Sequence, residues 1–595
     1  MKNKILLLLL SITTSSISQI YFSPNANMYV KNEVLFVNQN VNLDTGSNLY
    51  LRSNGQLVQG TNATSANSGE GVVSVYQEGT ADNFDYNYWC SPVGTASSGS
   101  GNGNFGISML QQPQTAVTSN PVTILNSDLD GISNPLSISA RWIYKLVNAS
   151  GYSQWTLVGS LSSLAPGEGF TMKGTSGTDA TDPEGTGIVN NPGSAQRYDF
   201  RGKPNDGTIT INLGANNSTL TGNPYPSSLH LNAFLLDPGN TATGGIAYFW
   251  EQDKTVNSHY LADYRGGYGA YSPISLASNG IYVPATFNSY NPDGSLNTVG
   301  LSSGLSIERK YSPIGQGFII YASANGTATF KNAHREFYRE SNALSQFEKQ
   351  TLKADKTAVE ENSGNEVTEV SHFKLNTIIN NQFTRQLALA FVPEATDGAD
   401  PGIDALHLDE ALPNDVTFLI ANNNYIIQGI PFDNTKKVPL RVKAAVPTTL
   451  KFYVPEVVNF DSSQQIFLYD SLDSSYHDIK NDSYQITVAA GVYSERFKIA
   501  FKDENILAEE NKNTPKIIIV QDNKNRIIKA YNPENITVES FILYDMLGRT
   551  VISKKDLPLR QEYSFSTGNL HNGIYIAKLI TADKREIKQK VILKN

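Results

Sequence analysis

Apolar runs in this chain are short, and polar corners break them. Val34-Leu35-Phe36-Val37, Leu49-Tyr50-Leu51 and Val72-Val73-Ser74-Val75-Tyr76 are separated by Asn, Gly, Ser and Asp, including the turn pair Asn54-Gly55. Short strands joined by turns follow from such a pattern. The 46 Gly and 26 Pro punctuate the remainder in the same way, while 39% hydrophobic and 10% aromatic residues are too many for a disordered chain. The expected class is all-β. A chain of 595 residues has material for several cores, about four domains at roughly 150 residues each. Lys plus Arg number 46 against 55 Asp plus Glu, and the formal charge of -9 argues against a nucleic-acid partner.

The N-terminus reads as an address. Lys2 and Lys4 precede the apolar run Ile5 to Leu10, and a Ser/Thr stretch ends with Ser16 and Ser18 at the small-residue positions of a cleavage site. Residues 1–18 are therefore expected to be a secretory signal peptide, with mature protein starting near Gln19. The run is shorter than the ~20 residues of a membrane span, and no later run approaches that length, so no transmembrane segment is expected in the mature protein. No Cys follows that could be acylated. The only cysteine, Cys90, has no intramolecular disulfide partner, and its context Tyr86-Asn87-Tyr88-Trp89-Cys90-Ser91-Pro92 predicts a buried structural thiol.

Residues 19–80 form an N-terminal short-strand region whose spacing suits the rungs of a small β-solenoid as well as hairpins. Residues 81–335 read as a duplicated β-rich surface domain. One copy runs from Trp89-Cys90-Ser91-Pro92 to Gly167-Glu168-Gly169-Phe170, the other from Gly222-Asn223-Pro224-Tyr225-Pro226 to Gly315-Gln316-Gly317-Phe318. Each ends in Gly-x-Gly-Phe leading into a strand. The glycines are expected to permit a bulge or a positive φ there, and the phenylalanine to anchor the strand in the core. A charged linker (336–370) follows, then a β-sandwich domain (371–502) with strands at Phe418-Leu419-Ile420, Val438 to Val442 and Phe497 to Phe501, expected to be antiparallel. Residues 503–514 are charged and lack aromatics, as a linker exposed to proteases does. The last module, 515–595, carries 14 Lys/Arg against 8 Asp/Glu, a net charge of +6, on alternating strands that predict a compact β-sandwich.

Tyr544-Asp545-Met546-Leu547-Gly548-Arg549-Thr550-Val551, Leu570-His571-Asn572-Gly573-Ile574-Tyr575-Ile576-Ala577-Lys578 and the basic terminal strand carry a resemblance. Together they resemble the type A C-terminal sorting domain of the type IX secretion system. The resemblance implies an immunoglobulin-like β-sandwich tail, a Gram-negative host, and partners in the type IX machinery and its sorting protease, with the cut expected in 503–514. It also implies release of the cargo or its attachment to a surface polysaccharide. The phrases at Tyr86 to Pro92, Gly222 to Pro226, Gly315 to Phe318 and Ala395 to Ala405 are similar to large secreted surface proteins of the same exporter, which share architecture and no agreed activity.

No catalytic, cofactor-binding or metal residue is assigned. Gly300-Leu301-Ser302-Ser303-Gly304 matches the Gly-x-Ser-x-Gly pattern, but its flanks lack the strand-to-helix elbow that presents a nucleophile. The seven histidines never stand in His-x-x-x-His spacing. Glu251 and Asp253 beside Trp250 suggest a glycosidase pair with a stacking ring, yet strand-end acids are commonly just solvated. Calcium is the best-supported ligand. Asn126-Ser127-Asp128-Leu129-Asp130-Gly131 matches the opening of an EF-hand-like loop, with Ser137 where the bidentate Glu belongs, and Asp397, Asp400, Asp404 and Asp409 form a second acidic loop. Trp89, Trp142, Trp155 and Trp250 are expected in cores. The expectation is a secreted, non-enzymatic protein of the cell surface or its surroundings, acting by adhesion or structural display. The alternative is a carbohydrate-binding or carbohydrate-active module built on the aromatic region from Tyr86 to Phe330.

Overall fold

The structure, a computed structural model, describes residues 19–291, 295, 297, 302–304, 307, 309–340, 344–347, 369–408, 412–505 and 517–594. The expected signal peptide, residues 348–368 of the charged linker, Asp409 and the expected cleavage segment from 506 lie outside them. Strands dominate, and the single α-helix among the described residues is the short Leu231–Leu235. The chain forms two compact units, divided between Lys502 and Asp503.

The N-terminal strands form a parallel solenoid rather than hairpins. Ile20–Phe22, Asn27–Lys31 and Val34–Val37 lie in parallel register on Val41–Leu43, Asn48–Arg52 and Gln56–Gln59. One rung takes 21 or 22 residues, from 20 to 41, 27 to 48 and 34 to 56. The rungs can stack because the inward positions Leu43, Leu49, Leu51, Leu57, Val73 and Val75 are all apolar and buried. Arg52 is fully buried, its guanidinium 3.5 Å from the Tyr76 ring centre and its NH1 donating to Leu51 O and Ser74 O. Strand Asn48–Arg52 continues in parallel onto Val72–Glu78, which pairs antiparallel with Arg197–Pro204 and so carries the solenoid into the next module.

The two Gly-x-Gly-Phe copies are equivalent in register. Strand Tyr86–Cys90 pairs with Gly169–Lys173 so that Cys90 faces Gly169, and Ser218–Gly222 pairs with Gly317–Tyr321 so that Gly222 faces Gly317. The two strand pairs then pack on each other reciprocally. A Cβ on Gly169 would meet Thr221 O at 2.8 Å and Leu220 C at 3.0 Å, and one on Gly317 would meet Tyr88 C at 2.6 Å and Trp89 N at 2.7 Å. Only the first glycine of each pair, Gly167 (φ +85°) and Gly315 (φ +79°), takes the left-handed backbone. The second is needed for backbone approach. Phe170 and Phe318 are wholly buried, a stabilisation of about 1.5–3 kcal/mol each.

Residues 372–500 build one eleven-stranded sheet. Burial alternates along His372–Ile379 and Lys437–Ala444, as a sheet with one face in a core requires. The expected antiparallel pattern holds except where Phe383–Phe391 runs parallel to Asn423–Ile430, with a long connection between them. The loop from Ala395 to Leu406 ties this sheet to the second Gly-x-Gly-Phe copy: Gly402 N donates to Gly244 O, Ile274 N to Gly402 O, and Tyr248 OH to Leu406 O.

The C-terminal unit has a three-stranded sheet (Ile518–Asp522, Ile527–Tyr531, Glu562–Ser566) and a four-stranded one. The latter orders as Thr550–Lys555, Val538–Asp545, Gly573–Thr581, Glu586–Leu593. Phe541 and Phe565 stack between the sheets with ring centres 3.7 Å apart, closing a core with Ile528, Leu543, Leu579 and Leu593.

Candidate functional site

A buried polar constellation ringed by aromatic side chains sits at the end of strand Gly169–Lys173. Lys173 is 4% exposed, and its ammonium lies 4.1 Å from the Trp142 ring centre, 4.7 Å from Tyr264 and 5.0 Å from Tyr86. It contacts Tyr264 OH and lies 3.0 Å from His259 Nδ1. The Asp130 carboxylate only accepts, so the ring proton belongs on Nε2, which donates to Asp130 Oδ1 at 2.9 Å and leaves Nδ1 to accept from Lys173. Asn83 Nδ2 also donates to Asp130, and the imidazole lies parallel to the Trp142 ring at 5.2 Å. Burial lowers the Lys173 pKa to about 7, with Asp85, Asp130 and Asp82 opposing the shift. Burial and then Asp82 raise the Asp85 carboxyl to about 7, and burial and then Lys173 lower His259.

His259 and Tyr264 belong to the connection between strands Ala247–Gln252 and Gly266–Ser272, whereas Lys173 and Asp130 come from the first copy. The constellation therefore fastens one copy to the other. The same connection lines a cavity of about 370 Å³ with Val256, Ser258, Ala262, Asp263 and Arg265, and Ser289, from beyond strand Thr286–Phe287, completes the lining. Sequence reasoning missed this site, because its members are scattered from Asn83 to Tyr264 with no spacing to connect them.

The residues singled out from sequence are mostly engaged in structure. Asp130 serves His259, and Ser137 Oγ accepts from Ile132 N at 3.0 Å. Asp404 accepts from Asp400 N at 2.6 Å and Gly429 N at 2.7 Å, with burial raising its pKa to about 7, while Asp397 pairs with Lys436. Among the described residues no three His, Cys, Asp or Glu side chains converge as metal ligands. Glu251 is buried and accepts from Tyr282 OH at 2.9 Å and Ala285 N at 2.6 Å, whereas Asp253 accepts from Thr255 and faces Arg265 at 3.9 Å. The two carboxylates share no partner in these bonds. Ser302–Ser303 is a strand paired antiparallel with Thr286–Phe287, while Gly300 and Leu301 lie outside the described residues. Cys90 is buried, and burial pushes its thiol far upward. Of the four tryptophans expected in cores, only Trp89 is fully buried; Trp142, Trp155 and Trp250 are half-buried.

A serine, a histidine and an aspartate also meet at the turn before His477, and their order rules out a relay. Ser475 Oγ donates to Asp473 at 2.6 Å and lies 2.8 Å from His477 Nε2, so the carboxylate rather than the imidazole takes the hydroxyl proton.

In the C-terminal unit the motif Asp545-Met546-Leu547-Gly548-Arg549 is a self-braced turn. Asp545 Oδ1 accepts from Leu547 N and Arg549 N, both at 3.0 Å, its Oδ2 takes Arg549 Nε at 2.8 Å, and Gly548 supplies a φ of +79°. Asp, Gly and Arg thus have backbone reasons to stand where they do.

A family match of the basic sandwich defines the class: cargo exported by a bacterial secretion system. Residues 522–594 match the model for the secretion system C-terminal sorting domain, which makes the tail a type IX sorting domain and the protein a secreted or cell-surface product of a Gram-negative bacterium. Residues 108–501 match a domain of unknown function, DUF8693, and the chain belongs to that family. No curated protein matches it. Among solved structures it is similar to a DUF3244 family protein with an immunoglobulin-like β-sandwich fold from Bacteroides vulgatus. That match is 15% identical and covers 14% of this chain and 88% of the other, with a TM-score of 0.13.

Proposed function

We propose that this chain is a non-enzymatic protein of the outer surface or its surroundings that works by adhesion or structural display. A signal peptide at 1–18 carries it across the inner membrane, and the sorting protease cuts within 503–514. The observation supporting a display role is that the buried charges of the first unit act on the fold itself. Lys173 joins the two copies, Glu251 holds Tyr282 and Ala285, Asp404 ties its loop to Gly429, and Arg335 pairs with Asp206 where both side chains are wholly buried. A protein built this way offers partners its surface. Labelling of intact cells with an antibody to 19–502 is expected to be positive, and loss of the chain is expected to reduce attachment to a glycan-coated or cell-coated surface. Turnover of a substrate by the purified chain would sink the reading.

Carbohydrate binding is the second reading, supported by the aromatic surroundings of Lys173. Tyr86, Trp142 and Tyr144 are half-buried, and Tyr152 and Tyr260 are exposed, near polar groups suited to a sugar's hydroxyls. A glycan array run with a reducing-sugar assay separates this reading from the first, since silence in both removes it.

A further inference from the structure

The first rung of the solenoid is paired on one side only. Ile20 N donates to Asn40 O and Asp44 N to Phe22 O, while Asn48 N donates to Ala26 O and Asn32 N to Arg52 O. On the third side Gln56 N donates to Glu33 O and Gly60 N to Val37 O. Backbone groups alternate in direction along a strand, so those of Tyr21, Asn27, Tyr29, Lys31, Val34 and Phe36 point away from the second rung. No described strand pairs with them there. The apolar filling of the coil is open at the same end. Ile20, Met28, Val30 and Leu35 are half-buried, whereas their partners in the second rung, Val41, Leu49, Leu51 and Leu57, are at most 1% exposed. Outside the coil, Tyr21 and Phe36 are 58% and 61% exposed. Strand edges and solenoid ends are normally guarded by charge, proline or a cap, yet residues 20–37 carry only Lys31, Glu33 and, in a turn, Pro24.

We propose that this open end joins two copies of the chain head to head, about a twofold axis at Tyr29. A cover for it has to present three edge strands at the spacing of this coil, and the end itself does so. Strand Asn27–Lys31 is the longest of the three and the edge of a seven-stranded sheet, so pairing it antiparallel with its own copy makes the most ladder bonds. The same rotation sets Ile20–Phe22 against Val34–Val37 of the second copy, apolar against apolar, and closes the half-buried filling. Lys31 then meets Asn27 of the second copy, and no like charges stand opposite each other. A signal peptide cut after residue 18, as proposed above, leaves no chain ahead of this rung to cover it. The test uses a chain that starts at Gln19, so its outcome is independent of whether that cut is made in the cell.

Sedimentation of residues 19–595 over a range of concentrations is expected to show a dimer. Tyr29→Pro with Phe36→Pro deletes two outward N–H groups and no bond of the fold, and should weaken association about tenfold or more. Tyr29→Lys sets like charge on the axis and should do the same without altering the backbone. Both variants are expected to keep the parent's circular dichroism spectrum. Cysteine linking reads the geometry, because the native thiol, Cys90, is buried. Mild oxidation should link Tyr29→Cys into a covalent dimer, while Phe36→Cys, which faces Ile20–Phe22 of the second copy, stays unlinked. A parent that is monomeric at about 100 µM overturns the proposal, even where its edge then binds an added strand peptide. So does a dimer that both edge variants leave intact, and so does linking through Phe36→Cys but not through Tyr29→Cys.

Discussion

At Gly169 and Gly317 the two copies come so close that a methyl group on either would strike the backbone of the other, at Leu220 and Thr221 or at Tyr88 and Trp89. Sequence alone exposed the repeated Gly-x-Gly-Phe and placed its phenylalanines in the core, and the positive φ it suggested belongs to Gly167 and Gly315. The role of the second glycine was not legible, because the atoms that demand it lie some fifty to two hundred and thirty residues away in the chain. Gly317→Ala is expected to destabilise the first unit by about 1–3 kcal/mol, read as a lowered melting temperature, whereas Gly99→Ala, with nothing within 4 Å, should leave it unchanged. Lys173 gives a pH signature. Its folded pKa, about 7, lies below its ordinary 10.5, so between those values the unfolded chain binds the extra proton and stability rises with pH. The difference in melting temperature between the parent and Lys173→Met should therefore shift in the parent's favour from pH 7 to pH 10. His259, also lowered, adds a loss of stability as pH falls below its ordinary 6.5, whereas Asp85, raised, costs stability as pH rises from 3.8 toward 7. Because Asp130 and Asp404 are already taken by protein donors, a chelator is expected to leave the melting temperature unchanged; a drop would install calcium in one of the acidic loops.

Strands were the most legible elements, since a period-two pattern fixes a strand and its buried face without reference to its partner. The runs beginning at Val438 and Gly573 lie where the alternation puts them, and Val34–Val37 where its unbroken apolar run does. Pairing was less legible. Parallel stacking of the first rungs and the parallel contact between Phe383–Phe391 and Asn423–Ile430 depend on long connections that leave no local mark. Strand Phe383–Phe391 is also fastened to Asn414–Ile420, on the far side of Asn423–Ile430, by a buried ion pair. Arg385 Nε and NH2 donate to the two carboxylate oxygens of Asp415 at 2.7 and 3.0 Å, with both side chains almost fully buried. Removing one partner strands a buried charge, so Asp415→Ala should cost about 3–5 kcal/mol, while Arg385→Met with Asp415→Leu should recover most of it. Chemical denaturation of the two variants reads this directly, and equal losses in the single and double variants would show that the pair contributes by shape alone.

The whole molecule divides where its cores divide. The three buried clusters of the first unit contain no described residue beyond Phe501, and the fourth contains none before Ile517. Solenoid, duplicated copies and eleven-stranded sheet instead interlock: Leu57 N donates to Pro226 O, Asn332 Nδ2 to Gly60 O, and Tyr248 OH to Leu406 O. Cooperative unfolding follows shared apolar contact, so the first unit should melt as one body and the sorting domain as another. Calorimetry of the full chain is expected to show two transitions, and residues 19–502 expressed alone should keep the first within about 1 °C, because no core side chain is lost. Two transitions would also fit the tail's task, since a domain recognised during export has to carry its own core. A single transition that disappears when 503–595 is deleted would mean that the two units stabilise each other, and the sorting domain would then be part of the mature fold rather than a separable tail.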